Sequence, residues 1–228
     1  ILALLVALAP GGGTVLAAGP YIVTKTADTN ATCASGTNCS LREAIKAANA
    51  APGEIQFNIP TSDPGYQAGG GYWRISVQST ALPAISGGST TINGLGSDGK
   101  PKIELNGGGT IGPWGLMLTS GNNTIKGLIV NGFIATPQGG FGVLLYGETV
   151  KNNTITNNYI GTNYNATAAG GTTSSNNTVA GIALQFGAST NVIENNVISG
   201  NGGYGIYSFT SVGFITPLRQ SGNIIRNN

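Results

Sequence analysis

The sequence predicts an all-β protein, a right-handed parallel β-helix with a short N-terminal α-helical cap. Three observations predict this fold. Glycine occupies 38 of the 228 positions and asparagine 24, whereas Lys and Arg together number 10 and Asp and Glu together number 8. A single segment has helical periodicity, and a pattern that opens with glycine recurs through the second half of the chain.

The first predicted elements are a strand and a helix. Residues Tyr21 to Thr26 alternate in β-branched side chains, which is typical of a strand. A helix is predicted from Ser40 to Ala50, because Ser40 is a favourable N-cap and Glu43 completes a capping box. Its apolar side chains recur at helical spacing, at Leu41, Ala44, Ile45 and Ala48. We expect this helix to cover one end of a stack of strands.

The repeats follow the helix. Each copy reads Gly-apolar-x-apolar, then a loop, then Asn-x-Ile, and its leading glycines are 27, 39 and 24 residues apart. These glycines are Gly115, Gly142, Gly181 and Gly205. A unit of this length holds two or three short strands, which stack on the next coil at about 4.8 Å. Asparagine and glycine suit the corners of such a coil, because both adopt positive φ at low cost.

An immunoglobulin-like sandwich is the alternative fold. It requires hairpin turn signals and strands with an alternating polar face, rather than repeats that stay in phase. The longest insertion between repeats, Asn163 to Asn177, is polar and without periodicity. We expect it to project from the side of the coil.

The composition excludes several classes of function. Because the chain has no histidine, a Ser-His-Asp triad and a histidine-ligated zinc site are both excluded. Its net charge of +2, with the signs scattered, is not the electrostatic footprint of a nucleic-acid-binding protein. No cofactor and no metal site are predicted.

The chain divides into three predicted regions. Residues 1–18 carry an apolar run followed by small residues, which is typical of a secretory signal peptide, although a buried strand or helix is the alternative. Residues 19–53 form the predicted cap and residues 54–228 the β-helix. The β-helix is expected to be truncated at its C-terminus, since the chain stops within a repeat. We therefore expect an exported protein with no membrane span in the mature chain.

The two cysteines, Cys33 and Cys39, flank a turn signal. They are predicted to form a local disulfide, which suits an exported protein, and a pair of free thiols is the alternative.

Aromatic side chains are the candidate ligand contacts. Tyrosine and tryptophan rings near glycine-rich turns are plausible platforms for sugars, although they also serve to cover the side of a coil. The candidates are Tyr66, Tyr72, Trp73, Trp114 and Tyr164.

The distribution of acids does not favour catalysis. Glycoside hydrolysis needs two carboxylates that face each other, and calcium-dependent elimination needs several clustered acids with a base. The eight acids are dispersed along the chain, and the closest two, Asp98 and Glu104, lie six residues apart. Stacking brings Glu148 and Glu194 onto neighbouring coils but out of phase, with Lys126 and Lys151 nearby. No catalytic residue is therefore predicted.

The segment Cys39-Ser40-Leu41-Arg42-Glu43-Ala44-Ile45 resembles the signature of CSLREA-domain proteins, and the later segments occur in the order found in that family. The resemblance covers Tyr21 to Asn228. It implies a secreted or surface-displayed bacterial protein with a pectin-lyase-like coil, and it implies no catalytic residues.

We expect a structural or adhesive role at the cell surface, with a polysaccharide or cell-surface partner along one face. The alternative is a polysaccharide lyase or glycoside hydrolase. The sequence does not indicate an oligomeric state.

Overall fold

A computed structural model describes residues 20–33, 38–77, 80–108, 114–134, 139–167, 177–210 and 219–228. The predicted signal segment, residues 1–18, lies outside them. The described strands are β1 (Tyr21–Val23), β2 (Glu54–Phe57), β3 (Tyr66–Gln67), β4 (Tyr72–Ser76), β5 (Thr91–Asn93), β6 (Ile103–Asn106), β7 (Trp114–Leu118), β8 (Thr124–Lys126), β9 (Leu128–Asn131), β10 (Phe141–Tyr146), β11 (Thr154–Thr156), β12 (Tyr159–Ile160), β13 (Ala180–Gln185), β14 (Val192–Glu194), β15 (Val197–Ile198), β16 (Tyr204–Phe209) and β17 (Ile224–Arg226); helix α1 spans Leu41–Ala50.

The strands form three sheets, which the chain visits in rotation. Sheet A has the order β1-β2-β5-β8-β11-β14-β17, sheet B has β15-β12-β9-β6-β4-β3, and sheet C has β16-β13-β10-β7. All described strand pairs are parallel except the β3–β4 hairpin. From β4 onward, strands that follow one another along the chain lie in different sheets, and the chain returns to each sheet one coil further along. The fold is a right-handed parallel β-helix, as the sequence predicts.

The core consists of aligned apolar residues. In sheet A an isoleucine occupies the same register position in six successive strands: Ile55, Ile92, Ile125, Ile155, Ile193 and Ile225. The first five are completely buried, whereas Ile225 on the edge strand is 52% exposed. The Asn-x-Ile motif of the repeats thus places its isoleucine in a continuous core row.

The asparagine of the same motif forms a buried ladder. The Asn123 backbone N and side-chain Nδ2 both donate to Asn153 Oδ1, and Asn153 repeats this pattern with Asn191. Asn191 in turn donates to Asn223 Oδ1. A second ladder joins Asn158, Asn196 and Asn228 in the same way. Both ladders satisfy backbone groups where the chain turns a corner, away from the regular sheet hydrogen bonds.

The leading glycine of each repeat has a steric cause. A Cβ added to Gly142 would lie 2.6 Å from the carbonyl oxygen of Gly181, and one on Gly115 would lie 2.7 Å from that of Gly142. A Cβ atom does not approach another heavy atom this closely, so these positions in strands β7 and β10 admit only glycine. At Gly205 the nearest atom would be 3.6 Å away, which is an ordinary contact.

Helix α1 confirms the predicted capping box. The Ser40 hydroxyl accepts a hydrogen bond from the Glu43 N–H, and the Glu43 carboxylate accepts one from the Ser40 N–H. The predicted apolar stripe is buried and joins the core. Tyr21 Oη donates to the carbonyl oxygen of Ala51 at 2.8 Å, which ties strand β1 to the end of the helix. A disulfide joins Cys33 and Cys39, with an S–S distance of 2.03 Å.

Two local expectations differ from the structure. Strand β1 ends at Val23 rather than at Thr26, because Thr26 turns away to donate its hydroxyl to Asp63 Oδ1 at 2.5 Å. The insertion Asn163 to Asn177 was expected to project from the coil. In its described beginning, however, Tyr164 lies stacked on Tyr72, and the side chain of Asn177 is buried inside the coil, where it donates to the Val130 carbonyl. Residues 168–176 lie outside the described residues.

Candidate functional site

The candidate site lies on the outer side of sheet B. Leu128 and Val130 point into the core, and Ile129 between them therefore faces outward. The register places this outer row along Arg74, Glu104, Ile129 and Tyr159. Aromatic and charged side chains thus gather on a face that the core does not use.

A stacked pair of tyrosines covers part of this face. The rings of Tyr72 and Tyr164 lie 5.0 Å apart with planes 15° from parallel. Tyr72 is buried, whereas Tyr164 is 37% exposed. Gly70 lies against both rings, because an added Cβ would come within 2.9 Å of either one. One face of the Tyr164 ring is therefore held by Tyr72, and the side chain remains partly accessible to a ligand.

The tyrosine pair rests on an ion pair between the half-buried Arg74 and the buried Glu104. Arg74 Nε donates to Glu104 Oε2, and Arg74 Nη2 donates to Tyr72 Oη at 3.1 Å. Asn131 Nδ2 donates to the other carboxylate oxygen of Glu104 at 2.9 Å. Glu104 is only 2% exposed, so its charge needs these partners. The network fixes the orientation of Tyr72 and, through stacking, that of Tyr164.

The network also determines the protonation states of Tyr72 and Arg74. Burial, together with the charge of Glu104, raises the pKa of Tyr72, so the phenol stays neutral. Burial alone would lower the pKa of Arg74, but its hydrogen bond with Glu104 and the charge of Glu104 raise it. At neutral pH the site therefore presents a neutral phenol and a charged guanidinium.

A pocket of about 180 Å³ opens beside the tyrosine pair. We call it the tyrosine pocket. Tyr159, Tyr164 and Asn165 form one wall, and the turn with Asp98, Lys100 and Lys102 forms the other. Lys102 Nζ lies 3.0 Å from Asp98 Oδ2. The hydrogen bonds from Lys102 and from the Lys100 backbone lower the pKa of Asp98, so this carboxyl is ionised and unsuited to act as a general acid.

A second pocket of about 280 Å³ lies at the corner between sheets A and B. We call it the tryptophan pocket. Its apolar wall contains Trp73, Phe57 and Leu95, and its polar groups include those of Asn58, Asn93 and Ser97. Lys102 lines both pockets. Tyr66 braces the tryptophan from the β3–β4 hairpin, with ring centroids 5.1 Å apart.

Four of the five aromatic candidates belong to this region. Tyr66, Tyr72, Trp73 and Tyr164 lie on or beside sheet B, and the last two line the pockets. Trp114 lies on sheet C, where it packs against an outer apolar cluster that contains Phe141 and Leu144. Its indole Nε1 is buried and has no hydrogen-bond partner. Trp114 is therefore separate from the site.

Several residues of the site were not among the sequence candidates: Asp98, Lys100, Lys102, Tyr159 and Asn165. The sequence held a signal for one of them. Tyr159 precedes Ile160 in a repeat, and the strand alternation turns it outward. The charged turn at 98–102 carries no repeat pattern, so its approach to the insertion is visible only in three dimensions.

Most carboxylates in the described residues have structural partners. Seven of the eight acids form a hydrogen bond or an ion pair with another side chain or with the backbone; Glu148 is the exception. None of these bonds joins two carboxylates. Burial alone would raise the pKa of Glu43 and of Asp63, but hydrogen bonds outweigh this and lower both. A glycosidase needs one carboxyl with a raised pKa, so neither Glu43 nor Asp63 has the character of its general acid.

Comparison with known protein families identifies one family that matches the chain. Residues 102–228, more than half of its length, match the family described as the right handed beta helix region. The chain belongs to this family. The matched part of the β-helix contains every strand from β6 to β17, including the asparagine ladders and Tyr164. Comparisons with curated proteins and with solved structures gave no significant match.

Two further observations apply to the β-helix. No three His, Cys, Asp or Glu side chains come close enough to hold a metal ion in the part of the chain that the structure describes. Within the same part, no helix is long and apolar enough to cross a membrane. The candidate site therefore consists of aromatic rings, amides and charged side chains.

Proposed function

We propose that this β-helix is a secreted or cell-surface scaffold that binds a glycan along the outer side of sheet B. The observation that carries the proposal is the pair of adjoining pockets that share Lys102. An aromatic ring lines each pocket, together with amide and ammonium groups. Sugars offer apolar ring faces that stack on aromatics and hydroxyl groups that bond to such polar groups.

The rigidity of the site supports a binding role. Tyr72 and the Arg74–Glu104 ion pair hold the Tyr164 ring in place before any ligand arrives. A preordered ring loses little conformational entropy on binding. The coil itself supplies the rigid scaffold, because strands β4, β6, β9 and β12 of sheet B are each paired on both sides.

The same proposal includes two further points, export of the protein and its membership of a narrower group of β-helix proteins. The apolar segment at residues 1–18 supports cleavage by a signal peptidase after Ala17 or Ala18. The Cys33–Cys39 disulfide suits an oxidising compartment. The segment from Cys39 to Ile45 supports membership of the CSLREA-domain group. Sequencing the N-terminus of the exported protein tests the cleavage site.

Glycan binding is tested on the full chain with an array of bacterial and plant polysaccharides, followed by titration of the best ligand. Tyr164→Ala is expected to weaken binding about tenfold, the loss of one stacking contact. Tyr164→Phe, which keeps the ring, is expected to retain most of the affinity. Tyr204→Ala is the matched control, because Tyr204 is a more exposed tyrosine, 58% exposed, on sheet C.

The outcomes separate the alternatives. Equal losses with Tyr164→Ala and Tyr204→Ala, or no binding to any glycan, would contradict the proposed site. Release of shortened or unsaturated oligosaccharides would support the polysaccharide lyase or hydrolase alternative instead. Thermal unfolding of each variant shows whether a loss of binding reflects a loss of folded protein.

A further inference from the structure

A third pocket lies at the corner between sheets C and A. Its volume is about 370 Å³, and its lining includes Glu148, Lys151, Ser189, Thr190, Arg219 and Ser221. We call it the corner pocket. These residues come from three successive coils, which are joined by the parallel bridge between Lys151 and Ser189 and by the hydrogen bond from the Ser221 N–H to Ser189 Oγ. The corner pocket shares no residue with the tyrosine and tryptophan pockets.

The corner pocket concentrates charges that have no partner. Glu148, Lys151 and Arg219 are all exposed. Among the described residues, no salt bridge within 4.0 Å joins Glu148 to either cation. Only 18 residues of the chain are charged, and every other acid has a partner. Three free charges around one cavity are therefore unusual for this protein, and they remain available to a ligand.

The backbone at this corner is strained. Thr190 has φ of 56°, whereas the equivalent corners of the neighbouring coils carry Asn122, Asn152 and Gly222, which tolerate positive φ. Phe186, at φ 52°, begins the same corner. A bulky or β-branched residue in this region costs about 1–3 kcal/mol, and such strain is concentrated at functional sites. The strained corner is the one that contributes Ser189 and Thr190 to the pocket.

We propose that the corner pocket binds a hydroxyl-bearing ligand with one anionic group. Lys151 and Arg219 supply two cations, and the arginine fork matches the oxygens of a carboxylate or a phosphate. Glu148 repels a bare anion but accepts hydrogen bonds from hydroxyl groups. Together these groups select an oxyanion that carries a hydroxyl group nearby, as in an acidic sugar or a polyol phosphate. This inference extends beyond the proposed glycan site on sheet B and does not depend on it.

Titration of the full chain at low ionic strength tests the ligand class, with glucuronate and glycerol 1-phosphate as probes and glucose as the neutral control. Both anions are expected to bind at least about tenfold more tightly than glucose, because each makes charge-assisted hydrogen bonds. Tighter binding of glucuronate assigns the natural anion as a carboxylate, and tighter binding of glycerol 1-phosphate assigns it as a phosphate. Equal affinity for glucose and the anions would overturn the proposal.

Variants test the location. Lys151→Met and Arg219→Met are each expected to weaken binding of the better anion about tenfold. Lys126→Met is the matched control, because Lys126 has no ion pair in the described residues and lies outside the pocket. Unchanged affinity in both pocket variants, or an equal loss in the control, would overturn the proposal. Tyr164→Ala is expected to leave this affinity unchanged, which separates this site from the one on sheet B.

The role of Glu148 has its own test. Glu148→Gln removes the repulsion of inorganic phosphate and weakens the acceptor for ligand hydroxyl groups. The affinity for glycerol 1-phosphate relative to inorganic phosphate is therefore expected to fall about fivefold. An unchanged ratio would show that Glu148 does not recognise the hydroxyl groups and would overturn that part of the proposal.

Discussion

Asn153 donates both its backbone N–H and its side-chain Nδ2–H to the Oδ1 atom of Asn191 in the next coil, over 3.0 and 2.8 Å. The same Asn153 accepts two hydrogen bonds from Asn123 in the preceding coil. The Asn153 side chain therefore bridges two coils, because its Oδ1 accepts from the backbone of Asn123 and its Nδ2 donates to the side chain of Asn191. Both Asn153 and Asn191 are completely buried.

Replacement of this residue is expected to destabilise the coil strongly. Asn153→Ala leaves the buried backbone N–H of Asn123 without an acceptor and removes one acceptor of its Nδ2. The expected loss is about 3 kcal/mol in the free energy of unfolding. Asn223→Ala, in the same ladder but partly exposed, is the control, and it is expected to cost less than about 1 kcal/mol because water replaces the lost bonds. Urea unfolding measures both. Similar losses for the two variants would show that the burial of an asparagine in the ladder does not determine the free energy of unfolding that its replacement costs.

The leading glycines give a second prediction. Gly142→Ala is expected to lower the free energy of unfolding by about 3 kcal/mol, because its Cβ would overlap the Gly181 carbonyl oxygen and force the coils apart. Gly205→Ala carries the same change where the nearest atom is 3.6 Å away, and it is expected to change stability by about 0.5 kcal/mol or less. Chemical unfolding measures the difference. A stable Gly142→Ala variant would refute the steric explanation.

The two cross-coil arginines give a third prediction. Arg74 and Arg226 each pair with a glutamate of an adjacent strand, but the side chain of Glu104 is 3% exposed and that of Glu194 is 21% exposed. Arg74→Met is expected to cost about 3 kcal/mol, because it leaves a buried carboxylate without its cation. Arg226→Met is expected to cost about 0.5 kcal/mol, as for a surface pair. Equal effects in urea unfolding would contradict this assignment.

The capping box makes stability depend on pH. Burial alone would raise the pKa of Glu43, but the hydrogen bonds from Ser40, Thr29 and Ala31 lower it below its ordinary value of 4.5. The ionised carboxyl therefore stabilises the folded state above the pKa of the unfolded chain. This contribution is lost as the pH falls through the lower pKa of the folded state.

The free energy of unfolding is thus expected to fall with decreasing pH below about 4.5. Glu43→Gln is expected to flatten this part of the profile and to cost about 1–2 kcal/mol at pH 7, because an amide group cannot accept all three bonds. Asp63 and Asp98, whose pKa values are also lowered, account for the slope that remains. Unfolding by urea at several pH values measures the profile. An unchanged slope in the variant would contradict the role of Glu43.

The sequence was sufficient to predict the elements that depend on local spacing. The capping box of Ser40 and Glu43 requires a separation of three residues, which can be read directly from the chain. The Gly-led strand and the Asn-x-Ile segment recur in the four coils that begin at β7, β10, β13 and β16, because each coil must meet the same steric and hydrogen-bonding demands as its neighbours. A prediction for one copy therefore holds for the others.

The candidate site was predicted less completely. Tyr72 and Tyr164 were both candidates, but nothing in their surroundings along the chain relates one to the other. They meet because the coil places strand β4 and the start of the insertion on the same side of sheet B. Trp114 belongs to the same residue class, yet the register with Phe141 puts it on sheet C.

Periodicity is a property of the local sequence. It determined the coil, its core rows and its cap. The grouping of Tyr164, Lys102 and Asp98 depends instead on how loops of different length fold back over the coil. So does the meeting of Glu148, Lys151 and Arg219 at one corner. Tyr164 lies 62 positions from Lys102 and Arg219 lies 68 positions from Lys151. Their approach is decided by packing in the folded chain, because no repeat in the sequence constrains the loops.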